Sequence, residues 1–158
     1  RLKRYGTPIV VISFDIDHFK QINDTYGHNV GNEVILAVVA LLKQKARSAD
    51  LVGRFGGDEF CVLLSQTDED GGLAFAESLR QRVAQHTFRT EEASFHVTLS
   101  IGLTSIATRE RLPDWQEVMD QADRALYASK AKGRNAVSVY QERPGEGDTS
   151  NRRDGELQ

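Results

Sequence analysis

The chain has 158 residues, 39% hydrophobic and 27% charged, with a formal net charge of −3. That length suits one domain with a real core, and the charge argues against sequence-independent nucleic-acid binding, which needs many phosphate-neutralising cations. No apolar run in this sequence is long enough to span a membrane and no signal peptide is expected in it, while the single cysteine, Cys61, cannot form an internal disulfide and fits a reducing compartment. The chain begins at Arg1 and its one methionine is Met119, so a piece of a longer protein is expected.

Residues 8–14, Pro-Ile-Val-Val-Ile-Ser-Phe, run apolar without alternation, as a strand buried on both faces does. The strand ends in Asp15-Ile16-Asp17, and residues 17–26 read as a short helix closed by a turn at Tyr26-Gly27-His28. From Asn32 to about Arg47, Val34, Ile35, Val38, Leu41 and Leu42 have helical spacing. Two strands flank Gly56-Gly57, residues 65–72 read as a loop, and Leu73, Phe75, Ala76, Leu79 and Val83 mark a third helix. Phe95 to Ile106 is one strand, or two broken near Gly102. Pro113-Asp114-Trp115 opens a last helix capped by Asp114, with Val118, Met119, Ala122, Ala125 and Leu126 inward, stopping near Gly133. Val137–Tyr140 is a final strand, and residues 141–158 read as a disordered polar tail. The order β-α-α-β-β-α-β-α-β, with a hairpin inside it, predicts an α/β domain with a mixed sheet covered by helices.

The run that organises the rest is Arg54-Phe55-Gly56-Gly57-Asp58-Glu59-Phe60. Gly-Gly between apolar runs predicts a tight hairpin that uses positive φ, with Asp58 and Glu59 at its mouth. By itself this is equally an ordinary solvated hairpin. If the first strand lies beside the hairpin, Asp15 and Asp58 emerge at the same sheet edge. Two close carboxylates repel unless a cation sits between them, and Mg²⁺ commonly takes one or two carboxylates plus substrate phosphates. That arrangement suits phosphoryl or nucleotidyl transfer. Alternatively Asp15 or Asp17 caps the helix that follows.

The start of that helix offers free backbone N–H groups for an anion, and Lys20, Lys130 and Arg134 add charge that could equally be solvated surface. Asn23, Asp24, His28 and Asn32 can match a guanine edge, or serve only as caps and turn residues.

Together these pieces resemble the GGDEF family, the diguanylate cyclases, from about Pro8 to Tyr140. Three motifs carry the resemblance: the Arg54–Phe60 run; Phe14-Asp15-Ile16-Asp17-His18-Phe19-Lys20 continuing to His28; and Ala122-Asp123-Arg124-Ala125-Leu126-Tyr127 leading to Lys130-Ala131-Lys132-Gly133-Arg134-Asn135. The resemblance implies a largely antiparallel five-stranded sheet wrapped by helices, similar to nucleotidyl cyclase and polymerase palm domains, with a catalytic domain over residues 1–140. It implies condensation of two GTP into cyclic di-GMP with release of pyrophosphate, in a homodimer whose protomers each hold one GTP. Asp15, the carbonyl of Ile16 and Asp58 would hold Mg²⁺, or Mn²⁺. Asp58 would assist deprotonation of the 3′-hydroxyl with Glu59 beside it. Lys20, Lys130 and Arg134 would bind phosphates, and Asn23, His28 and Asn32 would face the base or sugar. The nucleotide substrate implies a cytoplasmic location, although the parent protein can still be membrane-anchored.

Arg47-Ser48-Ala49-Asp50 fits the family's RxxD inhibitory site for cyclic di-GMP, and equally a helix-end Arg with a strand-start Asp. An arginine that often supports that site is Ser78 here, with Arg80 or Arg82 as substitutes. At Asn32 the family usually has aspartate; an amide donor facing guanine N1–H costs roughly 1–3 kcal/mol if a buried group goes unpaired. Weaker GTP binding or relaxed purine selectivity follows as an expectation. The family's N-terminal helix and Asp-x-Leu-Thr-x-Leu-x-Asn-Arg segment, which usually joins a sensor domain, are not in this sequence. A non-catalytic module that binds GTP or cyclic di-GMP is the competing reading; degenerate members typically lose the acids that this chain keeps.

Overall fold

The computed structural model describes residues 6–108 and 114–141. The expected polar tail falls beyond them, as does Pro113. The elements run β1 (Thr7–Ile16), α1 (Phe19–Tyr26), α2 (His28–Lys45), β2 (Leu51–Arg54), β3 (Glu59–Ser65), α3 (Glu69–Gln85), β4 (Phe88–Arg89), β5 (Ser94–Phe95), β6 (Leu99–Thr108), α4 (Trp115–Ala131) and β7 (Ala136–Val139). The five-stranded sheet has the order β2-β3-β1-β6-β7. Its pairs are antiparallel except β6–β7, which is parallel. The tiny β4–β5 hairpin is a separate two-stranded sheet.

The unbroken apolar run of β1 follows from its central place: Val10, Val11, Ile12 and Phe14 are all at most 1% exposed. Successive side chains alternate between faces. Val10, Ile12, Phe14 and Ile16 join the main core with Val34, Val38, Leu42, Leu79 and Val83 from α2 and α3. Val11 joins a smaller cluster with Val118 and Ala122 of α4. Phe14 stacks on Phe60 of β3 at 5.0 Å between centroids. Each such fully buried large side chain contributes about 1.5–3 kcal/mol.

The sequence pattern misplaces a few features. The loop before α3 ends earlier than expected: Asp68 caps the helix by accepting from Gly71 N, at 2.8 Å, so Gly71 and Gly72 lie in the first turn. A Cβ on Gly72 would sit 2.7 Å from Val10 Cγ1, so this glycine serves close packing of α3 on β1. Leu73, expected inward, is 37% exposed. The strand through Gly102 is continuous, and its glycine lets α4 lie against the sheet: a Cβ there would be 2.0 Å from the backbone N of Leu126. The helix cap by Asp114 is as expected, its Oδ1 accepting from Gln116 N at 3.1 Å.

Candidate active site

The register of the central strands builds the site. Asp15, the penultimate residue of β1, pairs with Glu59 of β3, and Ile16 N donates to the carbonyl of Asp58 at 3.3 Å. The acid closing the first strand and the acid of the hairpin therefore leave the sheet at one edge. The same two-residue alternation that buries Phe14 sends Ser13 and Asp15 to the α4 face. There the Lys130 ammonium forms an ion pair with Asp15 Oδ2, and Ser13 Oγ donates to Asp123 Oδ1 at 2.9 Å. Ser13, Asp15, Glu59, Asp123, Tyr127 and Lys130 line a cavity of about 230 Å³.

The electrostatics of this edge ask for a cation. Partial burial, and then the neighbouring Asp15 carboxylate, push the Asp58 carboxyl above its ordinary range. Lys130 occupies one oxygen of Asp15 as a stand-in cation. Among the described residues no cluster of three or more His, Cys, Asp or Glu is disposed to bind a metal by itself. Two carboxylates and a backbone carbonyl suit Mg²⁺, which keeps several waters and recruits substrate phosphates rather than a complete protein cage. The donors present, all hard oxygens, fit that ion.

The hairpin differs from the expected two-glycine turn. Its loop runs over four residues, 55–58, closed by Phe55 N donating to Glu59 O at 2.9 Å. Neither Gly56 nor Gly57 has a positive φ. A Cβ on Gly57 would meet nothing within 4 Å. The fold therefore does not require glycine at 57, and the open space beside Asp58 is left for something else.

Asp15 and Asp17 do not cap α1. His18 holds the N-cap position in the left-handed conformation (φ 56°), and no side chain caps the helix. Its first-turn N–H groups thus stay open to an anion, with Lys20 exposed in that same turn. Asp17 is 6% exposed and serves as a buried acceptor instead. Its carboxylate receives Thr98 Oγ1 at 2.7 Å, Ser100 Oγ at 2.6 Å and Asn135 N at 3.0 Å. It thereby ties the β1–α1 connection to the turn carrying Arg134.

Asn23 and His28 lie on either side of the α1–α2 junction, where Gly27 takes φ 93°, and Asn32 follows about one turn into α2. A Cβ on Gly31 would sit 1.8 Å from Asn23 Oδ1, so the Asn23 amide lies over the start of α2, next to exposed Asn32.

Arg47 and Asp50 lie at the far end of β3, which at about 3.4 Å per residue is roughly 20 Å from the acidic edge. Arg47 donates to the carbonyl of Ser65 and to Thr67 Oγ1 at 2.9 Å. The Asp50 side chain is only 2% exposed and accepts from Arg47 N at 2.8 Å and Ser65 N at 3.1 Å. Both residues thus close the α2–β2 turn onto β3. Ser78 Oγ accepts from Lys45 Nζ at 2.7 Å. Burial, and then the charge of Arg82, lower the Lys45 pKa. Arg80 is directed to Glu77 and Asn135.

Two residues of the site were missed. Asp123 sits inside a quoted motif, yet its contact with Ser13, 110 positions away, has no local signal. The role of Asp17 was hidden for the same reason.

The structure defines a mixed α/β domain whose sheet edge carries paired acids flanked by cations and an uncapped helix start. The chain belongs to the GGDEF domain family: the family model described as "Diguanylate cyclase, GGDEF domain" matches residues 1–136. It is 38% identical over 138 residues to the diguanylate cyclase DosC of Escherichia coli K12, covering 87% of this chain and 29% of that protein. It is 41% identical over 133 residues to the probable diguanylate cyclase DgcT of the same organism, covering 84% and 29%. The chain thus spans less than a third of these relatives. Among solved structures, the active GGEEF domain of a diguanylate cyclase from Vibrio cholerae superposes with a TM-score of 0.79 at 35% identity, covering 87% of this chain and 85% of that one. The GGDEF domain of DgcB from Caulobacter crescentus, in complex with c-di-GMP, gives 0.80 at 31% identity, covering 89% and 82%.

Proposed function

We propose that this domain condenses two GTP molecules into cyclic di-GMP with release of two pyrophosphates. The observation that carries the reading is the meeting of Asp15 and Asp58 at one sheet edge, where burial and mutual repulsion raise the Asp58 pKa and Lys130 stands as a cation on Asp15. Asp15, the Ile16 carbonyl and Asp58 would hold Mg²⁺ or Mn²⁺, which when bound offsets phosphate charge and polarises the reacting groups. The open first turn of α1, with Lys20, Lys130 and Arg134, binds the triphosphate. Asn23, His28 and Asn32 face the base or sugar. Each 3′-oxygen bonds to the α-phosphorus of the opposite nucleotide, the bond to the pyrophosphate oxygen breaks, and the 3′-proton passes to a carboxylate. Asp58, with Glu59 beside it, is the base; a carboxylate with a raised pKa accepts a proton closer to neutral pH. One protomer holds one nucleotide, so two protomers must face each other.

Cyclic di-GMP bound at Arg47 and Asp50 would inhibit the domain; DgcB, a structural relative, was solved with that dinucleotide. The exposed Asn32 favours a second reading, relaxed purine selectivity, because one amide donor would face guanine N1–H. Incubation with GTP, ATP and Mg²⁺ and identification of products by mass tests both. Cyclic di-GMP that disappears in Asp58→Ala supports the cyclase. Nucleotide binding without turnover at high protein concentration would instead make the domain a non-catalytic binding module. Adenine-containing products that vanish in Asn32→Asp would establish the second reading. Among the described residues no helix is long and apolar enough to cross a membrane.

A further inference from the structure

The turn joining α4 to β7 holds two successive non-glycine residues in the left-handed region, Arg134 at φ 66° and Asn135 at φ 47°, after Gly133 at φ 111°. Residues rarely adopt this conformation without support from the surrounding structure. Three hydrogen bonds supply it. Arg134 N donates to Ser129 O at 3.1 Å, and Asn135 N donates to Asp17 Oδ2 at 3.0 Å. Arg80 Nη1 donates to Asn135 Oδ1 at 2.9 Å. The first two come from the helix just ended and from the β1–α1 connection. The third comes from α3, an element that otherwise takes no part in the site.

Arg80 is built for this contact. Its side chain is 19% exposed, and Glu77, one turn back, fixes the guanidinium by accepting from Nε at 3.2 Å and Nη2 at 2.9 Å. With those donors committed, Nη1 is aimed at Asn135. Asp17, which takes the backbone side of the same residue, is itself locked by Thr98 and Ser100. Asn135 is therefore gripped by a cation at its side chain and a carboxylate at its backbone, and Arg134 is carried on the residue before it.

We propose that Arg80 is a positioning residue for Arg134: it holds the left-handed turn that delivers the Arg134 guanidinium to the substrate phosphates. The proposal rests on the phosphate-binding role assigned to Arg134 above. Arg80 acts through Asn135 and touches no substrate.

The test is a set of affinities, measured by calorimetry on the 158-residue chain with Mg²⁺, for a GTP analogue with an uncleavable α–β bridge and for guanosine. Arg134→Ala is the reference and should weaken the analogue but not guanosine. Arg80→Gln should weaken the analogue roughly tenfold, the loss of one charged hydrogen bond, and leave guanosine unchanged. Asn135→Gly supplies the decisive background, since glycine takes positive φ without penalty. In that background Arg80→Gln should cost little, because the turn no longer needs holding. A purely structural Arg80, acting through Glu77 on α3, would cost the same in both backgrounds, and that result overturns the proposal. So does Arg80→Gln with unchanged analogue affinity while Arg134→Ala weakens it. Should Arg134→Ala itself have no effect, the phosphate assignment falls and the positioning role with it. If Arg80→Gln alone fails to fold, Arg80→Met, which keeps the aliphatic stem but no donor, replaces it in both backgrounds, and the comparison between them decides in the same way.

Discussion

Gly102→Ala should damage this domain far more than a single methyl group suggests. Gly102 lies mid-strand in β6, directly under α4. An added Cβ would fall 2.0 Å from Leu126 N, 2.4 Å from Ala122 O and 2.6 Å from Ala125 C. All three neighbours are backbone atoms, so no side chain can turn aside. Restoring ordinary contact requires α4 to back off the sheet by more than about 1 Å, in a core packed to crystal-like density. Two bonds resist that movement: Ser129 Oγ to Ile101 O at 2.7 Å and Ser13 Oγ to Asp123 Oδ1 at 2.9 Å. Overpacking against side chains costs about 1–3 kcal/mol; with only backbone to yield, the upper end of that range applies. For a chain of this size about 3 kcal/mol lowers Tm by roughly 6–12 °C. Urea unfolding of Gly102→Ala against the parent chain measures it, as a lower midpoint at unchanged slope. Because α4 also carries Lys130, GTP binding should weaken even where the variant remains folded. A variant with the parent's midpoint would refute the packing of α4 on β6.

Gly57→Ala should behave in the opposite way. Its Cβ meets nothing within 4 Å and φ is not positive, so the unfolding midpoint should hold while cyclic di-GMP synthesis falls at least tenfold (about 1.4 kcal/mol); retained activity would show that the space beside Asp58 is not used. Lys130→Gln removes the ammonium that competes for Asp15. With the lysine side chain 36% exposed, the contact contributes about 1 kcal/mol, so Mn²⁺ without nucleotide, followed by electron paramagnetic resonance, should bind about fivefold tighter. The same variant should bind the GTP analogue more weakly, and a metal affinity that drops would contradict the stand-in role. Burial, and then Asp123, push the Cys61 thiol up to about 11. At pH 8 only about one thiol in a thousand is then the reactive thiolate. Alkylation of the folded protein should be slow at pH 8, rise steeply towards pH 11, and become fast at pH 8 in denaturant; rapid reaction of the folded form at pH 8 would refute the burial.

Much of the fold was legible because its elements carry local signals. The unalternating run of β1, the helical spacing of α2 and the Asp114 cap each sit within one short window of sequence. The meeting of Asp15 with Asp58 could also be inferred, since a strand placed beside a hairpin fixes which ends adjoin. Features resting on distant partners were not legible. Asp17 reads as a helix cap until Thr98, Ser100 and Asn135 arrive at its carboxylate from 81 to 118 positions away. The two glycines of the hairpin suggest a left-handed turn, whereas one of them faces open space, a property no sequence window encodes. Arg80 could be placed on α3 from the pattern of that helix, but not on the side that reaches Asn135.

The most direct test is to titrate Mn²⁺ into the chain saturated with the uncleavable GTP analogue, comparing the parent with Asp15→Asn, Asp58→Asn and the double variant. If both carboxylates grip the same ion beneath the triphosphate, each single change weakens Mn²⁺ at least tenfold (about 1.4 kcal/mol), and the double change costs clearly less than the two losses added together. Undiminished Mn²⁺ affinity in either single variant, or two losses that simply add, would mean that the two acids do not share a cation.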